Sequence, residues 1–169
     1  MRIPPDLSGE EKQALIIRYQ KEYEFATLIE TGTYKGNMIH ATKNIFSDIY
    51  SIEMVDEFYN DALIRFKDDT NVHLLHGNSG DRISEILAGI SNPVLFWLDA
   101  HDGKQSPVLK ELQIIFSFWN KDHLILIDDM RNFNHRPGYP NITIVKDFIK
   151  RTCPSCTIDI SDDIMKICH

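Results

Sequence analysis

The feature that most constrains the fold is an alternation. Five short apolar runs follow one another along the chain, each separated from the next by a stretch with helical spacing. The runs are 26–30 (ATLIE), 48–53 (DIYSIE), 72–76 (VHLLH), 93–99 (PVLFWLD) and 123–128 (HLILID). Between them the spacing predicts helices over 36–46, 55–66, 81–89 and 107–119, the last opened by Pro107 at a first helical position. A helix over about 9–22 precedes the series, with Ser8 and Glu11 placed as a capping box, and another follows at 144–151. The tail alternates over 157–160 and 164–168 around Ser161-Asp162-Asp163, which predicts a closing antiparallel hairpin. Strands alternating with helices require right-handed crossovers and a mostly parallel sheet covered on both faces. The expected fold is therefore α/β: a doubly wound, mostly parallel sheet ending in an antiparallel hairpin. It is read as one domain over 1–169, an N-terminal helical segment (1–24) followed by a core (25–169).

Composition removes several function classes. With 18 Lys and Arg against 25 Asp and Glu, the net charge of −7 opposes broad nucleic-acid binding, which depends on clustered basic charge. No apolar run approaches the roughly 18 residues of a membrane span. The N-terminus lacks the apolar stretch of a secretory signal, so a cytoplasmic protein is expected. Three cysteines do not make a disulfide framework, and Cys153-Pro154-Ser155-Cys156 is read as a turn carrying two thiols. Leu109, Leu112, Ile115, Phe116 and Trp119 form an apolar stripe at helical spacing, which is core.

In doubly wound folds ligands bind beyond the carboxyl ends of the strands, so the residues at those ends are the candidate site. The first strand ends in Glu30-Thr31-Gly32-Thr33-Tyr34-Lys35-Gly36. A dinucleotide fingerprint would require glycines where Tyr34 and Asn37 stand, which weakens a nicotinamide oxidoreductase reading. A phosphate-binding Walker loop is excluded, because no Gly-Lys-Ser/Thr follows. The second strand ends in Glu53, whose carboxylate can accept hydrogen bonds from two ribose hydroxyls.

Together these elements resemble the class I S-adenosylmethionine-dependent methyltransferases. Glu30, Gly32 and Gly36 match the family's acidic residue followed by Gly-x-x-x-Gly, and Glu53 matches the acid ending its second strand. His76-Gly77-Asn78-Ser79-Gly80-Asp81 resembles the turn beside adenine, with Asn78 where many members carry Asp. The resemblance covers about 25–168 and implies S-adenosylmethionine as cofactor. On that reading Glu30, Gly32, Thr33 and Gly36 bound its methionine end, Glu53 its ribose, Asn78 and Ser79 its adenine, and Asp99 lies at its reactive edge.

Strands four and five end in Asp99-Ala100-His101 and Asp128-Asp129. Adjacent strands lie about 4.8 Å apart, so the three carboxylates can converge, and they repel unless a cation or protons neutralise them. Hard oxygen ligands suit Mg2+, or Mn2+ or Ca2+. The set Asp99, Asp128 and Asp129 resembles the metal site of catechol-type and macrocin-type O-methyltransferases. The alternative is a solvated acidic edge in which one Asp caps a turn or pairs with Arg131. His101 is the candidate base, and the roles of metal ligand, substrate hydrogen bonder and surface residue stay open. His73, His76 and His123 are read as structural. The irregular loop 131–141, with Arg131, His135, Arg136 and Tyr139, is either a wall for a hydroxyl-bearing small-molecule or sugar acceptor or a solvated loop. The expected activity is methyl transfer to an oxygen. Three rivals remain: a non-catalytic S-adenosylmethionine-binding domain; a receiver-like phosphate-handling domain, whose acidic pair would follow strand one instead; and the nicotinamide oxidoreductase weakened by Tyr34 and Asn37.

Overall fold

The computed structural model describes residues 7–101, 105–118 and 122–168. Helix α1 (Gly9–Tyr23) is capped as its sequence requires: Ser8 Oγ accepts from the Glu11 amide and Glu11 reaches back to the Ser8 amide at 2.8 Å. There follow β1 (Thr27–Thr31), α2 (Asn37–Thr42), β2 (Asp48–Glu53), α3 (Asp56–Arg65) and β3 (Val72–His76). Next come α4 (Ser79–Leu87), β4 (Val94–Leu98), α5 (Val108–Ser117) and β5 (Leu124–Ile127). A 3-10 turn (Met130–Asn132) leads to α6 (Ile142–Thr152), β6 (Thr157–Ser161) and β7 (Ile164–Cys168).

The strands form a seven-stranded sheet in the order β3-β2-β1-β4-β5-β7-β6. The β1–β5 pairings are parallel, and β7 runs antiparallel to both β5 and β6. Strand order reverses between β1 and β4, where crevices open in such folds.

Alternation along the strands sorts the core into two layers. Leu28, Ile49, Leu95, Trp97, Leu124 and Leu126 pack with Ile16 of α1, Met38 and Ile39 of α2, and Ala62 of α3. The intervening Ile29, Ile52, Phe96, Leu98, Ile125 and Ile127 pack with Ile83, Leu112, Ile115 and Ile149 of α4–α6. Since both faces are covered, β1, β4 and β5 are buried along their whole length.

The structure corrects two sequence expectations. Helix α2 stops at Thr42 rather than Phe46, because the chain turns (the Phe46 amide bonds to the Thr42 carbonyl) to bury Phe46 before β2 begins. The hairpin forms the expected antiparallel edge, with β7 beside β5 and β6 outermost. Cys153 and Cys156 are joined in a disulfide, their Cα atoms 5.3 Å apart across the turn after α6, within the range a bridge spans. The α5 stripe is buried as expected at Leu112, Ile115 and Phe116, and Trp119 lies outside the described residues. No described helix is long and apolar enough to cross a membrane.

Candidate active site

The strand ends around the β1/β4 reversal are stitched together by backbone bonds. Gly32 donates to Ile52 at 2.9 Å, Asp99 to Thr31 at 3.1 Å, and Asp128 to Leu98 at 3.1 Å. Gly32 sits at φ +87°, and a Cβ there would lie 3.0 Å from the Asp99 carbonyl oxygen and 3.2 Å from the Ala100 Cα. Only glycine meets both demands. Gly32→Ala is therefore expected to cost about 1–3 kcal/mol of stability and to displace the Asp99 loop. A thermal unfolding midpoint equal to the unaltered chain's would contradict this packing.

Gly32 lines two cavities. The first, of about 410 Å³, is also bounded by Glu53, Met54, Asn78, Ser79 and His101. The second, of about 620 Å³, is bounded by Lys12, Glu30, Thr33, Trp97, Asp99 and Asp128. The two share Gly32 on their walls. A third, wider recess of about 1280 Å³ between Gln105, Lys110 and Tyr139 shares Asn78 with the first.

Glu53 is buried, and its carboxylate is held from two sides: Oε2 accepts the Tyr34 amide and Oε1 the Val55 amide, both at 2.8 Å. Asn78 caps α4 by accepting the Gly80 amide at 2.9 Å. The Ser79 hydroxyl donates to buried Glu111 at 2.5 Å. Burial pushes Glu111 up to about 7 against the pull of its hydroxyl donors. Behind Gly32, Ser51 donates to Glu30 at 2.6 Å and itself lies 2.6 Å from the Thr33 hydroxyl. Burial raises Glu30 to about 8, with the charge of Glu53 adding to the shift.

The aspartates after β4 and β5 converge, though not as one symmetric trio. Asp128 is 3% exposed and pairs with Lys12 Nζ at 2.7 Å. Asp129 turns away through a left-handed backbone at φ 62°. Its Oδ1 meets Arg131 at 2.7 Å, and its Oδ2 accepts from Asn132 at 3.0 Å and from Tyr139 at 3.4 Å. His101 Nε2 stands 4.0 Å from the same Oδ2. Donor atoms of Asp99, His101 and Asp129 all lie within 4.8 Å of one another. Burial first, then the charges of Asp128 and Asp129, hold the Asp99 carboxyl well above the usual range. Burial and the Asp129 charge lift Tyr139 to about 12.

The structural histidines separate clearly from His101. His123 accepts the Val94 amide at 3.0 Å inside the core, His73 meets Asp48 at 2.9 Å, and His76 stacks on Tyr59. Three residues of the site region carried no sequence signal. Lys12 arrives from α1, far along the chain. Glu111 faces Ser79 from the first turn of α5. Asp163, buried at the hairpin tip, accepts the Arg131 amide at 2.5 Å and also its guanidinium. Asp162-Asp163 reads locally as a turn, and nothing local says which aspartate points inward.

A seven-stranded sheet of this order, with its strand order reversing between β1 and β4 and acids at four strand ends, defines a Rossmann-like doubly wound fold. No protein-family model matches the sequence, and no curated protein matches it. Solved structures do. An O-methyltransferase from Bacillus cereus in complex with SAH superposes with a TM-score of 0.68 at 13% identity, over 97% of this chain and 83% of that one. TomG from Streptomyces achromogenes, an O-methyltransferase involved in tomaymycin synthesis and bound to SAM, gives 0.68 at 12% identity over 96% and 80%. The SAH-bound methyltransferase PaMTH1 from Podospora anserina gives 0.67 at 14% identity over 95% and 79%. The chain has the class I methyltransferase fold.

Proposed function

We propose that the chain transfers the methyl group of S-adenosylmethionine to a hydroxyl oxygen of a small molecule or sugar. The observation that carries this reading is Glu53: a buried carboxylate, fixed by two backbone amides, in a cavity that shares Gly32 with the aspartate-bearing cavity. Its fixed orientation suits reception of two ribose hydroxyls. Gly32, packed against the Asp99–Ala100 backbone, stands on the wall of both cavities. The cofactor supplies an electrophilic methyl group, attacked in line by the acceptor oxygen, so the protein's contribution is chiefly positioning.

Asp99, Asp129 and His101 offer two carboxylates and an imidazole within reach of one another, a donor set that fits a divalent ion such as Mg2+. Asp128 lies beside them, its Oδ2 paired with Lys12 and a carboxylate oxygen within 4.8 Å of ligand atoms of Asp129 and Asp163. A divalent ion held there lowers the pKa of an acceptor hydroxyl. His101, part-exposed beside Asp129, is placed to take the proton, or to complete the ligand set. Tyr139 and Asn132 fix the Asp129 carboxylate, and the recess beyond Tyr139 gives the acceptor its way in.

Calorimetric titration with S-adenosylhomocysteine, followed by transfer of labelled methyl to catechols and sugars, tests the reading. Binding is expected, with turnover suppressed by chelator and restored by Mg2+. His101→Ala is expected to lower turnover roughly 100-fold with cofactor and metal affinity kept if it is the base. Loss of metal binding in that variant assigns it as a ligand. Absence of cofactor binding would remove the proposal altogether. Binding with no transfer to any acceptor would favour a non-catalytic cofactor-binding domain.

A further inference from the structure

The second cavity has a charge pattern that the reaction alone does not explain. On one side stands the Lys12 ammonium, carried over the sheet end by α1, with its side chain only 15% exposed and its Nζ 2.7 Å from Asp128. Within the same cavity stand the Glu30 and Asp99 carboxyl groups, and Gly32 lines both it and the cleft that holds Glu53. The other lysine on its wall, Lys35, is exposed and lies 5.3 Å from the Tyr34 ring centroid, along the rim. A part-buried ammonium lining the same cavity as carboxyl oxygens able to accept hydrogen bonds complements a ligand with both a carboxylate and an ammonium group, which is to say an α-amino acid.

Resting on the proposed function, we infer that Lys12 grips the carboxylate of the amino-acid end of the cofactor, so that α1 supplies one wall of the cofactor site. The ion pair to Asp128 holds the ammonium at the cavity wall before the ligand arrives. The amide of Gln13, one residue on, bonds to the Asn37 carbonyl at 3.4 Å and ties α1 to the start of α2. Ile16, fully buried, anchors the same helix in the core. Lys12 is thus delivered on a docked helix, with little side-chain freedom left to lose on binding.

The test compares two probes that differ in this end alone. S-adenosylhomocysteine carries the amino-acid tail, and methylthioadenosine lacks it. In Lys12→Met the affinity for S-adenosylhomocysteine is expected to fall about 10- to 100-fold, the effect of losing one charge-assisted hydrogen bond. Affinity for methylthioadenosine should be unchanged, which also shows that the variant is folded. Lys12→Arg is expected to recover part of the loss. Because Lys12→Met leaves Asp128 buried without its cation, the double variant Lys12→Met/Asp128→Asn is measured beside it. Its affinity for S-adenosylhomocysteine should remain low. Recovery in the double variant would show that Lys12 acts only through Asp128, and equal loss for both probes would show a general structural role. Either result overturns the inference while leaving the proposed function standing. If the unaltered chain binds neither probe, the proposed function itself has failed.

Discussion

Glu53→Ala is expected to weaken S-adenosylhomocysteine binding by about 2–4 kcal/mol, or roughly 30- to 1000-fold, as two charge-assisted hydrogen bonds to the ribose are lost. The expected effect is large because the same carboxylate also accepts the Tyr34 and Val55 amides. Removing it frees both loops that border the first cavity. Glu53→Gln separates these contributions. The amide retains an acceptor oxygen and the shape of the side chain, so it should bind more tightly than Glu53→Ala and less tightly than the unaltered chain. Titration calorimetry on variants with native far-ultraviolet spectra reads the difference. Unchanged affinity in Glu53→Ala would remove the residue from the cofactor site.

The second large effect concerns stability and pH. Glu30 is pushed up to about 8 in the folded chain from an ordinary value of 4.5, so the folded state holds its proton more tightly than the unfolded state does. The stability this contributes is fully present below about pH 4.5 and is lost as pH rises toward 8. At 1.36 kcal/mol per unit, the loss across that window approaches 4–5 kcal/mol for a group so fully buried. Glu111 acts with the same sign over a narrower window, from 4.5 to about 7. The unliganded chain should therefore resist denaturant better at pH 5.5 than at pH 8.5. Glu30→Gln should flatten that slope, since the neutral amide still accepts the Ser51 hydroxyl and has no proton to lose. Denaturant midpoints that do not change with pH, or a slope retained in Glu30→Gln, would show that burial does not hold the proton on Glu30.

The sheet was legible in the sequence because buried parallel strands announce themselves as apolar runs, and all five fall within a residue or two of their expected bounds. Site residues that immediately follow a strand were legible for the same reason. Once the run 93–99 is placed, Asp99 at its end must lie at the carboxyl edge of the sheet. Residues brought in by tertiary packing were not legible. Lys12 looks like any solvent-facing lysine of an amphipathic helix, and only the docking of α1 sets it against Asp128. The order of β7 and β6 was hidden too. Both alternate, and the choice of neighbour for β5 depends on which strand is more buried, β7 being largely covered and β6 half exposed. The cysteine spacing permitted a bridge, but the turn geometry had to be seen to know that it forms.

The insertion of β7 has a consequence for how the chain is made. Residues 164–168 lie against β5, which is synthesised some forty residues earlier. Until those residues leave the ribosome, β5 presents an open, wholly apolar edge of the kind that recruits foreign strands. Asp163, which holds Arg131 and through it Asp129, emerges just before β7. A nascent chain thus carries its glycine loop and Glu53 early but gains an ordered aspartate cluster only once residue 163 has emerged, and truncation before 163 leaves an open sheet edge and Arg131 without its Asp163 partner. Co-translational chaperone contact is accordingly expected to concentrate on chains stalled between 128 and 163, and to fall away once β7 has paired.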